Sequence, residues 1–148
     1  MLDPQVFLVK TLMQVILALR KVKSHFFQEL SMAKLSTHVL DISIGKPGQG
    51  VQVQLFAIRD DGRQLLKTER TNADGRCAAP LLEGEQLQVG RYELVFAAGE
   101  YFAAQGVQLP QPNFLDYITI AFGVADASQN YHVPLVMSPW AYSTYRGS

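Results

Sequence analysis

Beyond Leu35 the chain keeps no helical period. Apolar runs of strand length follow one another with turn signals at short intervals, which restricts this part to an all-β fold. Val51, Val53, Leu55 and Ala57 alternate with Gln52, Gln54 and Phe56, the two-residue period of a half-buried strand. Asp60-Asp61-Gly62 predicts a hairpin turn that lets 64–71 pair back, and Asn72-Ala73-Asp74-Gly75 predicts a second turn. Further strands are expected over 35–42, 91–98, 115–124, 131–137 and 141–145. The Ala-rich stretch 99–105, bounded by glycines, suits one or two helical turns. Seven or eight short strands in about 115 residues predict a two-sheet sandwich.

The first 33 residues read differently. Asp3-Pro4 is a good helix start, since Asp accepts an orphan backbone N–H and Pro at the first helical position loses nothing. No Gly or Pro follows until Gly45, and Lys10, Gln14, Lys21, His25 and Gln28 form one polar stripe on an otherwise apolar helix. Thr11 to Leu19, the longest uncharged run here, is far short of the roughly twenty residues a membrane span needs. Lys10 interrupts the apolar region and Arg20, Lys21 and Lys23 follow it, the reverse of a secretory signal. Residues 1–33 are thus a helical extension on a domain spanning 34–148. Three roles remain open: a helix docking on a partner or a membrane surface, the tail of a fused upstream domain, or a leader before a start at Met32. The last two together are favoured. The expected compartment is cytoplasmic, with a periplasmic or organellar one left open by this segment.

Charge and composition exclude several classes. Thirteen basic and thirteen acidic residues cancel, which argues against nucleic acid as the main partner. A hydrophobic share of 48% excludes a wholly disordered chain. Cys77 stands alone, so no internal disulfide forms, and it reads as a small buried hydrophobe rather than a nucleophile. There is no glycine-rich phosphate loop, G-x-S-x-G elbow, H-E-x-x-H or C-x-x-C.

The candidates for chemistry are scattered: His38, Arg76, His132 and the terminal Tyr145-Arg146-Gly147-Ser148. Taken singly, each histidine is more simply a hydrogen-bonded strand residue, and Arg76 a solvated side chain closing a turn. Metal is disfavoured because no two ligands have close spacing. A Ser36-His38-Asp41 triad fails because Asp41 points to the opposite strand face. Aromatics at Trp140, Tyr142 and Tyr145 continue almost to the end, where chains usually turn polar, so a paired terminal strand would hold Ser148 at a defined position.

Five blocks taken together carry a resemblance. Leu35-Ser36-Thr37-His38-Val39-Leu40-Asp41, Gly45-Lys46-Pro47, Thr71-Asn72-Ala73-Asp74-Gly75-Arg76, Tyr131-His132-Val133-Pro134-Leu135 and Ser138 to Ser148, ending Tyr-Arg-Gly-Ser, resemble the 5-hydroxyisourate hydrolases. These are the enzyme branch of the transthyretin-like proteins. The likeness runs from about Lys34 to Ser148. It implies a prealbumin-like β-sandwich of two four-stranded sheets, assembled as a homotetramer, a dimer of dimers with sites in the channel between them to which residues of two subunits contribute. It implies His38, Arg76, His132 and Ser148 as catalytic residues, with Tyr145, Arg146 and Gly147 shaping the substrate site. The reaction implied is hydrolytic ring opening of 5-hydroxyisourate to 2-oxo-4-hydroxy-4-carboxy-5-ureidoimidazoline in urate breakdown, with no metal or organic cofactor. The rival within the same likeness is a carrier of small ligands without catalysis, the branch that lacks these histidines, this arginine and this ending.

Overall fold

In the computed structural model, which describes residues 4–30 and 32–147, the chain divides into two compact units, 1–32 and 33–148. The first is the helix α1, Pro4–Leu30, whose side chains are described over 8–24 and are all exposed. It ends three residues before the expected boundary. Asp3, the expected cap, lies outside the described residues. Among the described residues no helix is long and apolar enough to cross a membrane.

The second unit is built of strands. In chain order they are β1 (Lys34–Ser36), β2 (Val39–Asp41), β3 (Lys46–Pro47), β4 (Gln52–Arg59), β5 (Gly62–Arg70), β6 (Leu82–Glu83) and β7 (Gly90–Ala97). After the helix α2 (Ala98–Ala104) come β8 (Tyr117–Val124), β9 (Tyr131–His132), β10 (Leu135–Met137) and β11 (Tyr142–Ser143). One antiparallel sheet runs β5-β4-β7-β8. Its core face follows the alternation in the sequence, with Val53, Leu55 and Ala57 buried from β4 and Leu94 and Phe96 from β7.

The opposing strands form two ladders, β6-β1-β9 and β11-β10-β2-β3. Segments 35–42 and 131–137, each expected as one strand, are both interrupted. Pro134 has no N–H to give to a ladder, so β9 and β10 are separate strands. The pairing nevertheless runs on across the break. Val133 N donates to Ser36 O at 2.9 Å and Leu135 N to His38 O at 2.8 Å, while the buried Thr37 hydroxyl donates to Val133 O at 2.7 Å. Leu35, Val39, Val133, Leu135 and Met137 enter the same core as the first sheet. The two-layer sandwich is therefore present, with one layer split in its hydrogen bonding. The strands expected over 115–124 and 141–145 are shorter than the sequence suggests, the first starting at Tyr117 and the second reduced to Tyr142–Ser143.

The short helix is tied to this layer through a buried carboxylate. Asp41, only 2% exposed, accepts from Ser43 N at 3.0 Å, from Ser43 Oγ at 2.5 Å and from the Tyr101 hydroxyl of α2 at 2.8 Å. Burial and the Asp41 carboxylate push the Tyr101 phenol well above its ordinary pKa, so it remains a donor. Tyr101→Phe removes that donor and leaves a buried Oδ2 with one partner fewer. It should lower unfolding stability by about 1–3 kcal/mol, read as a lower urea midpoint at constant slope; an unchanged midpoint would count against this role.

Candidate active site

Leu35, Thr37, Val39 and Asp41 point into the core, so strand alternation turns Ser36 and His38 to the outer face. Two neighbouring segments then supply partners in register. Ser36 pairs with His132 in the parallel ladder, His132 is bridged to Gly147, and His38 is bridged to Arg76. Directly paired residues present side chains on the same face. His38, Arg76 and His132, far apart in the chain, thus rise side by side from one face of the sheet.

Backbone geometry fixes this row. The Asn72 side chain accepts from Asp74 N at 3.0 Å and Arg76 N at 3.1 Å, closing the turn, and Val39 N donates to Gly75 O at 2.8 Å. Gly75 has φ +72°, and a Cβ there would stand 2.3 Å from Val39 O and 3.2 Å from His38 Cδ2, so no side chain fits. Gly147 behaves likewise at the other histidine. Its N–H donates to His132 O at 2.8 Å, and a Cβ would lie 2.7 Å from His132 Cδ2. Each imidazole lies against a glycine.

The terminal segment is held by its side chains. The Arg146 guanidinium sits 4.4 Å from the Tyr131 ring centroid and donates to Gln129 Oε1 at 2.8 Å, while the Thr144 hydroxyl donates to Pro134 O at 2.8 Å. Arg146 therefore turns away from the histidines and anchors the segment that carries Gly147. Tyr145 is exposed and borders a cavity of about 200 Å³ with Phe122, Val133 and Arg146. Ser148 lies outside the described residues.

The electrostatics favour one protonation state. Burial first, then the positive charges of Arg76 and His38, hold the His132 pKa below the usual imidazole value. Its Nδ1 lies 2.9 Å from Ser36 Oγ, and its Nε2 has no hydrogen-bond partner among the described residues. Arg76 is exposed and makes no ion pair among them. It also borders, with Ser36, Cys77 and Pro80, a cavity of about 140 Å³. A neutral imidazole beside an unneutralised guanidinium can take a proton while the guanidinium holds an anionic or carbonyl oxygen. Cys77 does not share this chemistry, because burial and the Glu69 charge raise its thiol pKa and keep it protonated. Among the described residues no group of three or more His, Cys, Asp and Glu is arranged to hold a metal ion. What sequence reasoning missed is the contact of Ser36 with His132. It spans 96 positions and has no local signature.

Comparison with known proteins assigns the domain to a family. The sequence profile of the HIUase/Transthyretin family matches residues 35–147. A 5-hydroxyisourate hydrolase of Ralstonia nicotianae is 62% identical over 117 residues, covering 79% of this chain and 100% of that protein. The crystal structure of an (S)-allantoin synthase superposes with a TM-score of 0.76 at 40% identity, over 80% of this chain but only 44% of that one. The structure of Klebsiella pneumoniae 5-hydroxyisourate hydrolase gives a TM-score of 0.65 at 35% identity, over 78% of this chain and 99% of that chain.

The charge row has a measurable consequence. Proton NMR should find His132 titrating below the unperturbed value of about 6.5. Arg76→Ala removes a neighbouring positive charge, so the His132 pKa should rise; an unchanged or lower value would contradict the assigned proximity. Because the folded value lies below the unfolded one, the stability linked to His132 is present above about pH 6.5 and is lost as pH falls through the folded value.

Proposed function

The chain belongs to the HIUase/Transthyretin family, and from that premise we propose that it hydrolyses 5-hydroxyisourate to 2-oxo-4-hydroxy-4-carboxy-5-ureidoimidazoline. The observation that carries this reading is the cross-strand register that sets His38, Arg76 and His132 side by side on one outer face, with Arg76 making no ion pair among the described residues.

Ring opening of a cyclic amide requires water to add to an acyl carbon. His132 takes a proton from that water through Nε2 as the new C–O bond forms, and general-base assistance of this kind contributes roughly 10²- to 10⁴-fold. Negative charge moves onto the carbonyl oxygen, where the Arg76 guanidinium neutralises it through charge-assisted hydrogen bonds. Collapse of this adduct breaks the ring C–N bond. The proton held by His132 passes to the departing nitrogen, leaving a ureido group and a carboxylic acid that ionises to the carboxylate by losing its proton to solvent. His38 orients the water or polarises the substrate carbonyl. Tyr145, Arg146 and Gly147 shape the substrate site, and Ser148 supplies a further hydroxyl to substrate or water.

Residues 34–148 carry this activity, in a homotetramer of paired dimers. Exposed aromatics at Tyr117, Tyr142 and Tyr145 support burial of these surfaces between copies.

Freshly generated 5-hydroxyisourate, followed by its ultraviolet absorbance, tests the reading. Decay no faster than the spontaneous rate would leave only a ligand carrier. His132→Ala and His38→Ala should each lower kcat by at least about a hundredfold with folding intact; near-normal turnover would remove that residue from the mechanism. Residues appended after Ser148 should impair turnover more than an N-terminal tag does, and equal activity of the two tagged forms would count against a role for the terminus.

A further inference from the structure

We propose that Ser36 is the positioning residue that selects the tautomer of His132: its Oγ accepts the Nδ1 proton and leaves the Nε2 lone pair facing the open side of the sheet. The inference rests on the reading of His132 as the base, but its structural half can be tested without any turnover.

The geometry is specific. Ser36 and His132 are direct partners in the parallel ladder, and Ser36 Oγ lies 2.9 Å from His132 Nδ1. Both neighbours of the contact are fixed: Val133 N donates to Ser36 O at 2.9 Å, and Gly147 N donates to His132 O at 2.8 Å. The hydrogen bond made by one ring nitrogen decides which nitrogen carries the proton.

A hydroxyl can donate or accept, so the surroundings decide the direction. Among the described residues the charged groups acting on His132 are Arg76 and His38, and no carboxylate is one of them. If Ser36 donated to Nδ1, the ring proton would sit on Nε2 amid positive charge, with no acceptor among the described residues. If Ser36 accepts, the Nε2 lone pair meets that positive field instead, which Coulomb's law favours. The Ser36 hydroxyl then keeps its own proton, and Ser36 borders the same cavity as Arg76.

The test uses full-length protein labelled with ¹⁵N at histidine, held at a pH above the His132 titration. Two-bond ¹H–¹⁵N correlations should show wild-type His132 protonated at Nδ1. In Ser36→Ala the proton should redistribute toward Nε2, and kcat should fall by about tenfold to a hundredfold at nearly constant KM. That is less than the roughly 10⁴-fold cost known where a buried carboxylate fixes the tautomer. Ser36→Thr, which keeps the hydroxyl, should restore both tautomer and rate. An Nε2-protonated wild-type ring would overturn the proposal, as would unchanged turnover in Ser36→Ala. Equal losses in the Ala and Thr variants with no change of tautomer would make Ser36 a packing residue and overturn it too. A wild-type protein protonated at Nδ1 but inactive on 5-hydroxyisourate would uphold the positioning and defeat the catalytic reading instead.

Discussion

The parallel pairing of 35–41 with 131–137 is the constraint on which the rest of this structure depends. Parallel neighbours cannot be joined by a tight turn, and the chain between them holds the whole of the other sheet, α2 and the short strands β3 and β6. The register is set by burial. Leu35, Val39, Leu135 and Met137 must all point inward, and a slip of one residue would turn either strand over, sending its histidine into the core and its apolar residues out. Hydrophobic packing thus aligns two imidazoles that nothing in the local sequence brings together. The interruption at Pro134 does not loosen the alignment, because Val133 N and Leu135 N continue the ladder and the Thr37 hydroxyl takes up Val133 O.

On this scaffold two glycines and a guanidinium define the surroundings of the histidines. Gly75 and Gly147 let backbone come close enough for each histidine to have a neighbouring segment beside its ring. The closeness has an electrostatic effect. A second positive charge on His132, beside Arg76 and half removed from water, is disfavoured, and every unit by which its pKa falls corresponds to about 1.4 kcal/mol of that penalty. In the proposed reaction the same positive charges that lower the His132 pKa attract the oxygen that becomes negative as water adds. One set of charges serves both needs, and this is why the site has to sit on an outer face, where a small polar molecule can reach it.

Legibility in the sequence followed the range of the interaction. The alternation in 51–57, the Asp-Asp-Gly hairpin and the Ala-rich helical turn are local, and each appears in the structure near where the residues suggest. Strand breaks were hidden, because Val133-Pro134 lies within an otherwise continuous apolar run and only the lost N–H reveals it. The candidate site residues were named through family resemblance and not through spacing. His38, Arg76 and His132 each look ordinary in their own segment, and only cross-strand register unites them. Ser36 was considered with Asp41, its neighbour in sequence, whereas its partner is His132 across the ladder and Asp41 belongs to Tyr101 in the core. The guanidinium of Arg146, grouped with the terminal motif, anchors that motif against Tyr131.

The central claim is that the two histidines and Arg76 act as one constellation supplied by a single chain. Co-assembly of two variants tests it most directly. If His38→Ala and His132→Ala chains are expressed together and purified as mixed assemblies, every chain carries one lesion. Turnover of 5-hydroxyisourate should then stay at the level of the separate variants. Recovery of activity in the mixed assemblies, well above either variant alone, would mean that the two imidazoles come from different chains and would contradict this account.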